Sequence, residues 1–256
     1  MKQIFLSLIG LVLFSCTSSF YQVYKVEPDQ ANIDSLHLVF EDQNVKTFYS
    51  FWARGGDPGF TIFNKTDQNL VLNLDSTFFV LNGVAYDYFK KRTISKSNMA
   101  ASSFAYQTYP AYFYRAQKRR ESVATSNEMA YEEQSKIVIP PQSGKAISEY
   151  NITSTVFKNC DLPEKPDRKN RKVLSFTKAT SPMVFQNVIN YSIAGKTTVM
   201  KNSFFVKELA NYHLADVMKK KFVTRCGKRS LFSIEVNKEA APNKFYNTYS
   251  DLPEGN

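Results

Sequence analysis

Histidine, tryptophan and cysteine are scarce in this chain of 256 residues, which holds two His, one Trp and three Cys. The two histidines, His37 and His213, are far apart in sequence and belong to no close Cys/His cluster, so we expect no metal site. The phosphate-loop, His-Glu-x-x-His and Gly-x-Ser-x-Gly patterns are also missing. These absences predict a protein that has no cofactor and no catalytic residues and is not an enzyme.

Four polar features that could serve catalysis have simpler structural interpretations. The residue pattern places His37 within a strand and His213 on a short helix, where packed imidazoles are common. The acidic pairs Glu41-Asp42 and Glu132-Glu133 are typical of solvated turns and loops. Residues 55–59 are rich in glycine but lead into a strand, so they do not form a phosphate cradle at a helix N-terminus. A glycan-processing enzyme with two facing carboxylates is the weaker alternative.

A long apolar run is also missing, because the longest one covers only residues 4–14 and spanning a bilayer takes roughly 20 apolar residues. This run follows Lys2 and ends in Leu13-Phe14-Ser15-Cys16, which resembles the lipobox of bacterial lipoproteins. The layout predicts a lipoprotein signal peptide over residues 1–15, lipid attachment at Cys16 and a lipidated tether over residues 16–19. The alternative is an ordinary secretory signal in which Cys16 is incidental.

Charge is unevenly balanced, with 33 Lys and Arg against 23 Asp and Glu. Without the leader, which contains Lys2, the chain keeps 32 Lys and Arg and 23 Asp and Glu, a net charge of +9. Outside the cytoplasm, anionic lipid or envelope polysaccharide is a more suitable counterpart than nucleic acid, although a merely soluble basic surface is the simpler interpretation. We predict contact with an anionic surface at the densest cluster, formed by Lys219, Lys220, Lys221, Arg225, Lys228 and Arg229. A solvated helix end is the alternative there.

Two cysteines remain once Cys16 is lipidated. In an oxidising compartment Cys160 and Cys226 either pair or stay as two isolated buried thiols. A disulfide between them would stabilise the fold by roughly 4 kcal/mol on the chain-entropy model.

Alternation of apolar and polar residues predicts strands through most of the chain. The strongest local signal is Asn82-Gly83, which suits the positive φ angles of a two-residue hairpin turn. Phe78 to Leu81 are apolar on both strand faces, which predicts a strand covered on both sides. Many short strands separated by turns predict a mainly β fold, an antiparallel β-sandwich of immunoglobulin-like type. The other predicted strands lie at residues 36–40, 45–52, 60–64, 70–74, 136–139, 146–152, 184–193, 197–206 and 231–236.

Some segments depart from this pattern. Residues 90–134 have no sustained period and predict a long insertion with a short helix near residues 112–120. The spacing of apolar residues predicts a short amphipathic helix over residues 209–221. Residues 159–172 predict an exposed loop. The sandwich is predicted over residues 20–236, as one domain with the insertion or as two small β units, followed by a polar C-terminal tail over residues 237–256.

Five segments resemble a group of outer-membrane lipoproteins from Bacteroidetes-type bacteria to which no function has been assigned. They are FYQVYK (20–25), GFTIFNKT (59–66), FFVLNGVAYD (78–87), NSFFV (202–206) and CG (226–227). The resemblance implies a lipid-anchored β protein with no catalytic residues to carry over. In such bacteria acidic residues after the lipidated cysteine accompany surface export, and their absence from residues 17–21 implies a periplasm-facing protein, with the cell surface as alternative. Asp34-Ser35-Leu36 and Asp75-Ser76-Thr77 resemble O-glycosylation sites of these organisms, which implies modification at Ser35 and Ser76.

Together these features predict a non-enzymatic envelope lipoprotein that binds or scaffolds another component. Its expected partners are membrane lipid, through acylated Cys16, and an envelope protein or anionic polysaccharide. The alternative is a surface-displayed adhesin or pilus-type subunit that uses strand exchange.

Overall fold

The structure is a computed structural model, and the leader with Cys16 lies outside its described residues. It describes residues 19–34, 36–96, 101–104, 107–108, 114–115, 118–121, 129–225 and 228–250. The helices are a 3-10 turn, Leu74–Ser76, and α1, Leu214–Val217. No helix within the described residues is long and apolar enough to span a bilayer. The strands are β1 Ser19–Pro28, β2 Asn32–Ile33, β3 Leu38–Glu41, β4 Val45–Tyr49, β5 Phe60–Asn64, β6 Leu70–Asn73, β7 Phe78–Leu81, β8 Val84–Asp87, β9 Thr93–Lys96, β10 Ala101–Phe104, β11 Gln107–Thr108, β12 Tyr114–Arg115, β13 Lys118–Glu121, β14 Met129–Glu132, β15 Lys136–Ile139, β16 Gly144–Ile147, β17 Val173–Ser175, β18 Val184–Ile193, β19 Lys196–His213, β20 Met218–Arg225, β21 Lys228–Asn237 and β22 Lys244–Ser250.

These strands form a mainly β, antiparallel sandwich, which confirms the predicted fold class. The main sheet has the order β15-β6-β18-β19-β1-β22, with β17 beside β19 and the β7–β8 hairpin beside β18. The second sheet has the order β16-β5-β4-β3-β2. Each sheet contains strands that precede residues 93–132 and strands that follow them, because β15 pairs with β6 and β16 pairs with β5.

Aromatic side chains fill the space between the two sheets. Phe204 of β19 packs edge-on against Phe40 of β3 and Tyr49 of β4, with ring centroids 5.3 and 5.0 Å apart. Phe185 of β18 stacks on Phe204 at 5.2 Å, and Phe51 meets Phe204 at 4.9 Å. These side chains are almost completely buried, so their burial supplies the main hydrophobic stabilisation of the fold.

The glycine-rich residues 55–59 form a buried loop that is hydrogen-bonded to the segment at residues 148–153. Gly55 and Gly56 both have positive φ, 78° and 71°, and their carbonyls accept the N–H groups of Thr153 and Ile152. A Cβ on Gly56 would lie 2.8 Å from side-chain atoms of Ile152 and Phe245. Glycine is therefore required here by close packing rather than by a ligand.

The Asn82-Gly83 hairpin is confirmed, because β7 and β8 flank it and both central residues have positive φ, 49° and 85°. The prediction that β7 is covered on both faces is wrong, since only Phe79 is fully buried and its neighbours are half-buried.

The helix predicted over residues 209–221 is wrong. Strand β19 continues to His213, four residues of α1 follow, and β20 begins at Met218. Leu209 and Ala210 are both buried because β19 is covered on both faces, so the period-2 alternation that marks a strand is lost at this point.

The polar tail predicted over residues 237–256 is also wrong in its central part. Lys244–Ser250 forms β22, which pairs along β1 from Lys25 to Ser19. Phe245 is fully buried and stacks on Tyr24 at 4.4 Å. The sandwich therefore extends to Ser250, because the edge of β1 is completed by a strand from the other end of the chain.

The described residues between 93 and 132 form nested antiparallel strand pairs. β9 pairs with β14, β10 with β13, and β11 with β12, and we call this segment the long ribbon. The helix predicted near residues 112–120 is wrong, since β12 and β13 lie there. Likewise β20 and β21 pair with each other over residues 218–237, and we call them the short ribbon.

Candidate functional site

Three neighbouring strands, β19, β1 and β22, bring matched rows of side chains to one face at one end of the main sheet. Because side chains alternate between faces, residues two apart on a strand share a face. Register aligns Phe20, Gln22 and Tyr24 of β1 each with one residue of β19 and one of β22. The rows are His213–Phe20–Tyr249, Asn211–Gln22–Asn247 and Leu209–Tyr24–Phe245. We call the middle one the amide row.

Each side chain of the amide row holds a backbone carbonyl of the segment at residues 153–172, which we call the covering loop. The Gln22 Nε2 donates to the Phe157 carbonyl at 2.9 Å. The Asn211 Nδ2 donates to the carbonyl of Pro163 at 2.9 Å, and the Asn247 Nδ2 donates to that of Thr155 at 2.8 Å. All three amides are buried, which is tolerated because they are hydrogen-bonded.

The neighbouring row towards Ser19 holds the same loop. The Nε2 of His213 lies 2.9 Å from the carbonyl oxygen of Pro166, and the Tyr249 hydroxyl donates to the Glu164 carbonyl at 2.6 Å. The Phe20 ring packs between these two residues, 4.9 Å from the His213 ring and 5.2 Å from that of Tyr249. The covering loop thus takes the place of the second sheet at this end of the sandwich.

Tyr24 links the amide row to the hydrophobic core. Its hydroxyl donates to the Gln22 Oε1 and accepts the Phe157 N–H at 3.1 Å. Burial raises the pKa of Tyr24 to about 12, although hydrogen bonds from the Phe157 backbone and with Asn247 oppose this rise. The phenol is therefore a neutral hydrogen-bond donor at physiological pH.

A cavity of about 800 Å³ lies between the covering loop and this end of the sheet. Its walls include the Gln22 and Asn211 amides, the apolar side chain of Leu162, and the exposed residues Lys158 and Lys165. A volume of this size suits a small ligand, and the lysines and amides favour polar or anionic groups. Within the described ranges, no group of three or more His, Cys, Asp or Glu residues could hold a metal ion.

The predicted cysteine and serine sites are only partly described. Cys160 is exposed on the cavity wall, whereas Cys16, Cys226 and Ser35 lie outside the described residues. The disulfide and the lipid attachment therefore stay predictions. Ser76 is half-buried at the end of the 3-10 turn, and its hydroxyl lies 3.2 Å from the Asp75 Oδ1, so O-glycosylation also stays a prediction there.

The basic cluster predicted to contact an anionic surface lies on the short ribbon. Lys219, Lys220 and Lys221 are exposed on β20. Backbone pairing places Arg225 opposite Lys228, and Arg229 opposite Thr224. The alternative of a solvated helix end is wrong, because α1 ends at Val217 before the cluster begins.

Both histidines are packed into the structure, and both placements differ from the prediction. His37 lies just before β3 rather than within a strand; it is buried, and its Nδ1 lies 3.8 Å from the Asp34 Oδ1. Burial lowers the pKa of His37, and the negative charge of Asp34 opposes this shift. His213 is the last residue of β19 and does not lie on the helix.

The acidic pair Glu41-Asp42 is engaged in hydrogen bonds. Glu41 accepts hydrogen bonds from Lys65 and Lys46, which lower the pKa of its carboxyl. Asp42 accepts the backbone N–H groups of Asn44 and Val45, as expected for a turn residue.

The amide row and the cavity were not anticipated from the sequence. The available signal was a repeated triplet in three distant segments, in which an amide lies between two larger side chains at alternate positions: Phe20, Gln22, Tyr24; Leu209, Asn211, His213; and Phe245, Asn247, Tyr249. Each triplet alone is an ordinary strand pattern, and only strand pairing makes them one site. No family model matches this chain, and neither the curated proteins nor the solved structures include a match to it.

Proposed function

We propose that this protein is a lipid-anchored component of the bacterial cell envelope that binds or scaffolds another envelope component and catalyses no reaction. The lipobox-like Leu13-Phe14-Ser15-Cys16 supports the anchor. The first described strand begins at Ser19, three positions after Cys16, so little chain separates the proposed lipid from the sandwich. The absence of acidic residues after Cys16 supports an orientation towards the periplasm on the outer membrane.

The two ribbons are the observation that carries the binding role. Within the described part of the chain, their strands pair only with each other and join neither sheet of the sandwich. An isolated two-stranded ribbon is marginally stable in water, because it buries little apolar surface. Contact with a partner would supply the missing burial, and this is why we assign partner binding to the ribbons.

The base of the long ribbon is clamped to the sandwich by ionic hydrogen bonds. Arg92 donates to the Glu133 carboxylate at 2.7 Å and to both Glu149 oxygens at 2.8 and 3.0 Å. Hydrogen bonding from Arg92 lowers the pKa of Glu133. Burial raises the pKa of Glu149, but hydrogen bonds from Arg92 and Lys90 outweigh it and leave this pKa below its usual value. The clamp fixes the direction in which the ribbon leaves the sandwich.

The short ribbon indicates an anionic partner. Lys219, Lys220 and Lys221 are consecutive and exposed, so alternate lysines present positive charge on both faces of the strand. Opposite charges on a partner would increase the association rate and favour correct orientation.

The lipid anchor is tested by expressing the full chain in a Gram-negative host. We expect the unaltered protein to incorporate labelled fatty acid and to fractionate with the outer membrane. The Cys16→Ala variant should lose the label and leave the outer-membrane fraction, because the acyl chains are its attachment. Unchanged labelling in the variant would contradict lipidation at Cys16.

The binding role is tested by mild crosslinking in cells followed by purification of the full chain. We expect a crosslinked envelope component that is lost when residues 101–121 are deleted or when Lys219, Lys220 and Lys221 are all changed to Gln. The matched control changes three exposed lysines of the sandwich, Lys136, Lys196 and Lys201, to Gln and should keep the partner. Equal capture by all variants would contradict the role of the ribbons.

The edge strand β8 favours a second candidate, a surface adhesin or pilus-type subunit. All four residues from Val84 to Asp87 are exposed, and the strand pairs on one side only, with β7, among the described residues. An open edge of this kind can accept a strand from another chain. Protease treatment of intact cells separates the candidates, because a periplasm-facing protein resists digestion whereas an adhesin is cleaved.

A further inference from the structure

One end of the sandwich combines the beginning of β1 with the covering loop. Ser19 lies opposite Ser250 at the beginning of β1, and at the next pair of positions, Phe20 and Tyr249, the Tyr249 hydroxyl donates to the loop carbonyl of Glu164. Ser19 is three positions after Cys16 in the sequence, and a fully extended chain spans at most roughly 11 Å over that length. Lipid attached at Cys16 would therefore hold this end of the sandwich close to the bilayer.

The covering loop is basic on its exposed side. Residues 158–172 contain six Lys and Arg against three Asp and Glu, a net charge of +3. Two of the acidic residues are engaged locally, since Asp161 lies 3.6 Å from the Lys172 ammonium and Asp167 accepts the Lys169 backbone N–H at 2.8 Å. The exposed cationic side chains of the loop are Lys158, Lys165, Arg168, Lys169 and Lys172.

The loop is also held in a fixed position. Hydrogen bonds from Gln22, Asn211, Asn247 and Tyr249, and the close approach of the His213 ring, fasten its backbone between residues 155 and 166. Preorganised lysines lose less conformational entropy on binding than lysines on a loosely held segment. The amide row thus has a role beyond filling the sheet face.

We infer that this end of the sandwich lies on the membrane and binds anionic phospholipid headgroups through the lysines of the covering loop. The inference rests on the proposed lipid anchor, because the position of Cys16 selects this end. The opposite end of the sandwich carries exposed Lys196. Lys196 and His213 are the first and last residues of the 18-residue strand β19, so they lie roughly 55 Å apart. Exposed lysines occur at both ends of the sandwich, so charge alone does not determine which end faces the membrane.

The test is vesicle flotation of the chain lacking residues 1–15 and carrying Cys16→Ser, which keeps every described residue but no acyl chain. We expect it to float with phosphatidylcholine vesicles containing about 30 mol % phosphatidylglycerol and not with pure phosphatidylcholine. Changing Lys158, Lys165 and Lys169 together to Gln should weaken partitioning on the order of a hundredfold, since each Lys near an anionic membrane contributes about 1 kcal/mol. The control triple Lys136→Gln, Lys196→Gln, Lys201→Gln removes the same charge from elsewhere on the sandwich and should keep most of the binding.

Three results would overturn the inference: no flotation with anionic vesicles, equal flotation with neutral vesicles, or equal losses in the two triple variants. Matching thermal unfolding of both triples shows that each is folded. Because the tested chain has no lipid, its failure is distinct from failure of the anchor, which fatty-acid labelling of Cys16 reports separately.

Discussion

Two adjacent rows on the same three strands have opposite chemistry. In one row, Tyr24 and Phe245 stack among apolar side chains of the core. Two residues closer to Ser19, the amide row is equally buried but entirely polar. The difference follows from what covers each row, because a second sheet offers apolar side chains whereas a loop offers backbone carbonyls that need donors. The comparison shows that burial alone does not predict residue type in this sheet.

The largest expected effect is in the apolar row. Phe245→Ala should lower the free energy of unfolding by about 3–5 kcal/mol, because it removes a fully buried ring and leaves a cavity beside Tyr24. Urea denaturation of the leaderless chain measures it. Tyr246→Ala, on the opposite face of the same strand and half-buried, is the control and should cost clearly less. Equal losses would show that the two faces contribute alike.

A smaller but more local effect is expected in the amide row. Gln22→Ala removes the donor to the Phe157 carbonyl, the acceptor of the Tyr24 hydroxyl and one of the two acceptors of the Phe157 N–H. It should cost about 2 kcal/mol, because the buried carbonyl is left without its donor. Hydrogen exchange should show residues 155–163 losing protection while the core strands retain theirs. Gln186→Ala, a half-buried amide on the same sheet, should leave the loop protected. Unchanged exchange in the loop would contradict the role of Gln22.

The smallest effect at neutral pH is expected at the junction of the two rows. Tyr24→Phe removes the hydroxyl that bonds Gln22 and should cost about 1 kcal/mol at pH 8. Alkaline pH adds a sharper test, since the pKa of Tyr24 is about 12 in the folded protein and about 10 when unfolded.

Below pH 10 the Tyr24 phenol is protonated in both states, so its contribution to stability is fully present. Between pH 10 and about 12 only the unfolded state loses the proton, and stability should fall by on the order of 2 kcal/mol. Tyr24→Phe should therefore show a shallower alkaline decline in urea denaturation. The decline should not vanish, because burial also raises the pKa of Tyr49. An equally steep decline in the variant would contradict the assignment.

Local chemistry made part of the fold predictable. The Asn82-Gly83 turn depends on the positive φ of two adjacent residues. Val184–Ile193 was predicted with its observed bounds because it is rich in β-branched and aromatic residues. The prediction failed near Leu209, where coverage of both faces removes the alternation, and at β22, whose polar residues hide a strand. In both places a partner strand distant in sequence outweighs the local pattern.

The candidate site was predictable only in fragments. Cys160 and the basic residues after it were predicted as an exposed loop over residues 159–172, but nothing local showed that Leu162 would be buried or that the loop would cover a sheet face. Asn and Gln are usually exposed, so residues 22, 211 and 247 carried no sign of burial.

By itself the sequence determined the local features of this protein: strand alternation, the turn at Asn82-Gly83 and the lipobox-like segment that predicts an anchor at Cys16. Tertiary structure alone decided that Gln22, Asn211 and Asn247 form one row and that a loop lies over it. The physical reason is that strand register fixes which side chains meet, even where the paired residues are 225 positions apart in sequence, as Gln22 and Asn247 are. The need of buried backbone carbonyls for donors then makes amides the suitable residues there.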